Sequence, residues 1–246
     1  MTQLVSNRNA YIGKDAELLF KNSIVNYSDI IDKVRDIFGI KGSFLHAINI
    51  GMYAEKSDVK IGFSCGHNID VSIKAYKKAF AYNQLTRASI SNFCKVFNLD
   101  CLDYLQNLII NKSKNVKSNL IPLEEQEKIL SIFQPIAKEI VKWSFSNEDT
   151  RELLVLYQRE ENLMRIYAMK DILKSLNYDI IFTNKGNIII GNYIVIQRKG
   201  GNGSLSKTIP KDSIKHPGNN IQLKLKIKDF VDGMKDYELA NYFVKF

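Results

Sequence analysis

Apolar residues recur at helical spacing from Ile12 to Ile24, through Ala16, Leu19 and Phe20, and predict an amphipathic first helix with Gly13 and Glu17 on one side. Ser28 to Phe38 repeats the period through Ile30, Ile31, Val34 and Ile37, and Gly39 and Gly42 end it. The period then shortens to two, so Ser43 to Tyr53, Asp58 to Ser64 and Ile69 to Tyr76 predict three strands. The short turn Gly66-His67-Asn68 makes the last two antiparallel neighbours. On the third strand Asp70, Ser72 and Lys74 share one face, and Val71, Ile73 and Ala75 the other.

From Leu85 to Leu176 the pattern predicts a helical block. Ile90, Phe93, Cys94 and Phe97 share a face that Leu102, Leu105 and Ile109 continue, and Asn111 to Asn119 is a polar, Lys-rich link. A helix after Pro122 should kink at Pro135, and Asp149 to Gln158 and Asn162 to Leu176 read as two further helices. Strands return at Tyr178 to Thr183, Asn187 to Ile190 and Tyr193 to Arg198, with a hairpin turn at Asn184-Lys185-Gly186. Gly200 to Asn220 reads as a flexible loop. In the strand that follows, Ile221, Leu223, Leu225 and Ile227 alternate with Gln222, Lys224, Lys226 and Lys228, one face apolar and the other cationic. The expected fold class is α/β (α+β), a mixed central sheet flanked by helices. It is read as a single domain over 1–246, with a core over about 1–84, the helical block over about 85–176 and C-terminal strands over about 177–246.

Composition narrows the partner. A chain of 246 residues that is 45% hydrophobic can bury a full core. It contains no apolar run of membrane-spanning length and no signal-peptide core, so a cytoplasmic location without membrane attachment is expected. Cys65, Cys94 and Cys101 show neither paired number nor zinc-site spacing and read as small buried residues. The formal net charge of +9 is concentrated: Lys185 to Lys228 holds nine Lys or Arg and a single acid, Asp212. Such a field attracts polyphosphate and releases its counterions, which points to nucleic acid; a solvated lysine-rich surface is the plainer alternative.

Candidate chemistry follows from Ser57-Asp58 on one predicted strand and Ser72-Ile73-Lys74 on the next. Phosphodiester hydrolysis needs a positioned water and neutralisation of charge at phosphorus, which carboxylates holding Mg²⁺ and a nearby lysine supply. Asp58 and Lys74 fit those roles if their strands pair. Asp70 and Glu17 are the further candidate metal ligands, because Ser72 offers a hydroxyl where a carboxylate or amide is expected. On its own so short a motif equally describes a polar strand face in solvent. His46, His67 and His216 form no metal-site spacing and read as structural, with His216 beside Pro217-Gly218 also placed to meet phosphate. Trp143 reads as core.

Lys56-Ser57-Asp58, Ile73-Lys74, Tyr82-Asn83-Gln84 and Val195-Ile196-Gln197-Arg198-Lys199-Gly200-Gly201 resemble, in order, a small type II restriction endonuclease of the PD-(D/E)xK superfamily, of the kind that cleaves GCGC. The resemblance runs from the first helix to Phe230, and Gln-Arg-Lys-Gly-Gly is its most specific part. Two departures stand out: Ser72 replaces Gln, and Tyr82 replaces Phe. The resemblance implies a Mg²⁺-dependent nuclease with Asp58, Lys74 and Ser72 in the catalytic positions. It makes Tyr82 and Gln84, with Asn83 between them, a wedge into the DNA stack, where the residues alone would favour a core position for Tyr82. It places the Gln197 to Asn202 loop at the major groove, with Arg198 and Lys199 on guanine edges or on phosphate. Lys207, Lys224 and Lys226 join them as DNA contacts. The expected partners are double-stranded DNA and, in a prokaryotic cytoplasm, a cognate methyltransferase that protects the host, with the nuclease a monomer or homodimer. A nicking or structure-specific repair nuclease, and a non-catalytic DNA-binding protein on the same fold, are the alternatives.

Overall fold

The structure is a computed structural model that describes residues 8–50, 57–77, 82–145, 151–201 and 205–245. Helices α1 (Arg8–Ile24) and α2 (Ser28–Phe38) form where the apolar spacing predicts them. The alternating segment folds into β1 (Phe44–Asn49), β2 (Val59–Phe63) and β3 (Asn68–Tyr76), paired antiparallel in that order. Then come β4 (Tyr82–Ala88), α3 (Ile90–Val96), α4 (Leu102–Lys114), α5 (Gln126–Phe133) and α6 (Ala137–Phe145). A 3₁₀ turn at Gln134–Ile136 separates the last two and contains Pro135, as the missing proline N–H requires.

The helical reading of the next segment is corrected. Glu152–Gln158 is a strand, β5, and Leu163–Ala168 another, β6; only Met169–Ser175 is helical, as α7. The cause is burial on both faces. Six of the seven residues of β5 are buried, so its sequence is a continuous apolar run with no period of two. Strands β7 (Ile180–Phe182), β8 (Ile188–Ile190) and β9 (Ile194–Arg198) follow, then a short helix α8 (Leu205–Thr208), β10 (Ile221–Lys226), α9 (Ile227–Gly233) and β11 (Glu238–Phe243). The alternation expected through Lys228 therefore stops at Lys226. Strand β4 also lies outside the expected helical block only at its first three residues.

The chain divides into two compact units, each discontinuous in sequence: Met1–Ala81, Ser146–Ser175 and Val231–Phe246 in the first, Tyr82–Phe145 and Leu176–Phe230 in the second. The single-domain reading placed its internal boundaries near 84 and 176, whereas the chain crosses between units after 81, 145, 175 and 230.

The first unit is built on a six-stranded mixed sheet in the order β1-β2-β3-β5-β6-β11, whose one parallel pair is β3 with β5. One face is dry. Ala16, Phe20 and Ile24 of α1 and Ile30, Ile31 and Val34 of α2 pack there with Val59, Ile61, Val71 and Ile73. Alternation sends Asp70, Ser72 and Lys74 to the opposite face of β3. The second unit holds a five-stranded antiparallel sheet, β4-β10-β9-β8-β7. Its helices close around aromatic rings: Phe93 stacks on Phe133 at 5.7 Å, and Trp143 meets Phe97 edge-on at 5.5 Å. The cysteines divide: Cys94 is buried, Cys101 half-buried, and Cys65, expected inside, is exposed. Among the described residues no helix is long and apolar enough to cross a membrane.

Candidate active site and nucleic-acid interface

In the first unit the β2–β3 ladder ends at Asp58, and its side chain takes over where backbone pairing stops. The Asp58 N–H donates to Val71 O at 2.8 Å, and Asp58 Oδ2 accepts the Ile73 N–H at 2.6 Å. The carboxylate thus occupies the place of a ladder carbonyl and is held at the sheet's end. Lys74, the next residue of β3, brings its Nζ to 3.9 Å from the same oxygen, with both side chains about one-fifth exposed. Asp58 and Lys74 are therefore brought together as the pairing of their strands demands.

Glu17 joins them. Helix α1 buries Ala16 and Phe20 in the core, and Glu17, between them in sequence and half-buried, interacts with both Asp58 and Lys74. Burial pushes the Glu17 carboxyl up, the Asp58 charge adds to the rise, and Lys14 and Lys74 oppose it. Burial also pushes the Asp58 carboxyl up, against the pull of Lys74 and the Ile73 N–H. Desolvation dominates in both, so each carboxylate gains from a cation beyond Lys74.

Asp70 is the correction. It sits opposite Lys60 in the β2–β3 register and forms an ion pair with it at 3.7 Å. Its other neighbour across the sheet is the buried Glu152. Among the described residues no three His, Cys, Asp or Glu side chains gather as a metal-ligand group, so the expected set of Asp58, Asp70 and Glu17 is not assembled. The reason lies in the register, which aims Asp70 at a partner of its own. Ser72 is almost fully buried at 2% exposure, beside Leu154 of β5. The donors present suit Mg²⁺ through Asp58 and Glu17, since this hard ion takes oxygen ligands and retains waters.

The expected DNA contacts all fall in the second unit. Tyr82, on edge strand β4, is 55% exposed, which overturns the core position favoured by its residue type alone. Gln84, also exposed, lies on the same face, and its Oε1 accepts from Gln222 Nε2 of β10. Asn83, facing the other way, is half-buried. Gln222 itself pairs with Gln197 of β9 in register, so three glutamines run across three strands. Gln222 is 8% exposed; the strand alternation had placed it with the cationic face. Lys224 is half-buried, whereas Lys226 is ion-paired with Asp229 of α9.

The described ends of the loop after β9 are held by hydrogen bonds, where the sequence predicts a flexible loop. Asn219 Oδ1 accepts the Arg198 Nε–H at 2.8 Å, while Asn219 Nδ2 donates to Lys211 O at 2.8 Å and Ser213 O at 2.7 Å. The Lys199 N–H donates to Asn220 O at 2.9 Å and the Gly200 N–H to Gly218 O at 3.0 Å. Gly218 permits this approach, because a Cβ there would lie 2.8 Å from the Gly201 nitrogen. His216 is 2% exposed, and its Nδ1 accepts the Gly218 N–H at 3.0 Å, as a structural residue would. Gly201 and Lys207 are exposed, and Asn202 lies outside the described residues. Asn219 was missed by the sequence reading, whose only signal there was a Pro-Gly-Asn-Asn turn.

No protein-family model matches the chain. Its fold is similar to that of restriction endonuclease MspI in complex with its cognate DNA, at a TM-score of 0.49 and 13% sequence identity over 88% of this chain and 87% of that one.

Proposed function

We propose that this chain is a Mg²⁺-dependent, sequence-specific double-strand DNA endonuclease of restriction type, acting at a short palindrome such as GCGC beside a cognate methyltransferase. The observation that carries this reading is Asp58 Oδ2, fixed at 2.6 Å by the Ile73 N–H with Lys74 Nζ 3.9 Å away. Asp58 and Glu17 hold Mg²⁺, which supplies Lewis-acid stabilisation of charge on the phosphate. Lys74 orients the attacking water beside the scissile phosphorus and offsets the negative charge that builds there. Water adds to phosphorus as the bond to one sugar oxygen breaks, leaving a phosphomonoester and a hydroxyl. Exposed Tyr82 wedges into the stack, and Arg198, held through its Nε, presents its remaining N–H groups to a guanine edge.

Incubation with plasmid DNA and Mg²⁺, followed by sequencing of the ends, is expected to give discrete cuts at one short palindrome that vanish in Lys74→Ala. Random degradation, or full activity in Lys74→Ala, would overturn the reading; preference for mismatches or junctions would mark a repair nuclease. A DNA-binding protein without turnover is the second reading, favoured by the hydroxyl of Ser72 at the second-ligand position. Salt-sensitive binding without Mg²⁺-dependent cleavage would establish it.

A further inference from the structure

The second unit holds a group of cations that the reading of Arg198 does not absorb. Lys112, near the end of α4, donates from Nζ to Val116 O at 2.6 Å and to Ser118 O at 2.5 Å. Two residues further on, the Leu120 N–H donates to Lys185 O at 3.0 Å and the Ile121 N–H to Gly186 O at 3.1 Å. A single stretch, 116–121, is therefore clasped by Lys112 on one side and by the β7–β8 turn on the other. Gly186 is needed there, because a Cβ would collide with the Ile121 carbonyl. Lys114, Lys117 and Lys185 stand exposed around this clasp. Helix α4 also packs on the Pro217–Asn219 turn whose Asn219 holds Arg198.

No acid occurs between Asp103 and Glu124, nor between Asp179 and Asp212. Lys112 is held by neutral carbonyls, and burial, followed by the charges of Lys185 and Arg198, lowers its affinity for a proton. Like charges gathered without a carboxylate repel one another, and a bound polyanion converts that repulsion into attraction. Charges near α4's C-terminus do favour the helix dipole, but Lys117 and Lys185 lie off the helix and gain nothing from it.

We propose that the 112–118 segment and the Lys185 turn form a second DNA contact, a sequence-independent grip on phosphodiester backbone flanking the site that Arg198 reads. It rests on the nuclease reading for the identity of the ligand. Lys112 shapes the grip by fixing the 116–118 carbonyls, and Lys114, Lys117 and Lys185 meet the phosphates.

The test uses the full chain in EDTA with a linear duplex lacking GCGC, measuring affinity by anisotropy across a salt titration. Each phosphate contact contributes roughly 0.9 to the slope of log K against log salt. The triple variant Lys114→Ala, Lys117→Ala, Lys185→Ala is expected to lower the slope by about 2 to 3. A control triple of exposed lysines in the first unit, Lys33→Ala, Lys41→Ala, Lys235→Ala, removes equal charge and should change it by less than about 1. An unchanged slope in the first triple with an unaltered circular dichroism spectrum, or an equal loss in the control, overturns the grip. If the triple does not fold, Lys185→Glu on its exposed turn decides, with a slope loss of about 1 expected and no loss overturning. The two readings separate cleanly: binding with the expected slope pattern but no cleavage by wild type removes the nuclease and keeps the grip, and cleavage with an unchanged slope does the reverse.

Discussion

Several cations in the first unit meet acids, although Lys170 donates to the Ile37 carbonyl, and several in the second meet neutral oxygens. Lys74 faces Asp58, Lys60 faces Asp70, Lys77 faces Glu160, and Arg165 Nη1 reaches Glu238 Oε2 at 2.7 Å. In the second unit Lys112 is held by two carbonyls and Arg198 by the Asn219 amide, although Lys226 does pair with Asp229. A cation fixed by a neutral acceptor has no carboxylate beside it to offset its field, which stays available to an incoming anion. One paired with a carboxylate is instead positioned within a nearly neutral cluster, where a small change of charge, such as a metal or a phosphate, reorders the whole group. The first arrangement suits binding along a polyanion, and the second suits chemistry at one phosphate.

The largest expected effect would separate those roles outright. Lys74→Ala or Asp58→Ala should lower the cleavage rate by about 10²–10⁴-fold. Affinity for cognate duplex in EDTA should change less than about threefold if, as proposed, the second unit carries most of the DNA contacts. A parallel loss of affinity would erase the contrast between the units.

Arg198→Ala tests the other side. If Arg198 makes the proposed bidentate guanine contact, its loss should cost about 1–3 kcal/mol of discrimination, roughly 5- to 150-fold, between cognate and single-mismatch sites, measured as kcat/KM ratios. Arg198→Lys should not restore it, since an ammonium cannot reproduce the fork.

Asn219→Ala sharpens the comparison further. It strands the Arg198 Nε–H and two loop carbonyls, and should cost about 1–3 kcal/mol in stability by thermal denaturation while loosening discrimination at the same base as Arg198→Ala. Tyr82→Ala, at an exposed edge, should leave stability within about 0.5 kcal/mol yet reduce the DNA bending read by gel mobility or energy transfer.

The smallest effect concerns pH. Burial raises the folded-state pKa of both Glu17 and Asp58, so each contributes stability that is complete below the ordinary carboxylate range and lost as pH rises through the raised value. Glu17→Gln and Asp58→Asn should therefore raise the metal-free Tm at pH 8 relative to wild type, with the gain disappearing on acidification. Added Mg²⁺ should raise the Tm of wild type more than that of either variant, since a ligand stabilises only the state that binds it. An identical Mg²⁺ response in all three proteins would remove the two carboxylates from the metal site.

Much of the first unit was legible. Helices α1 and α2 and strands β1 to β3 come from a single stretch with clean periods of 3.6 and 2, and a short turn fixes the β2–β3 pairing that joins Asp58 to Lys74. Strand β5 was not, because burial on both faces erased the alternation that marks a strand. The exposure of Tyr82 escaped for a related reason: an aromatic residue type signals burial, and only the edge position of β4 reverses it.

By itself, then, the sequence determined the local elements, the order of acid and lysine, and the acid-free runs that make the second unit cationic, since these depend on neighbours and composition. Tertiary structure decided where the other acids go. Register gives Asp70 to Lys60, packing lets the charge of Asp58 act on Glu17, and the fold closes Asn219 onto Arg198 from 21 residues away. Those choices require packing distant segments against one another, and no periodicity along the chain encodes the direction in which a side chain finds its partner.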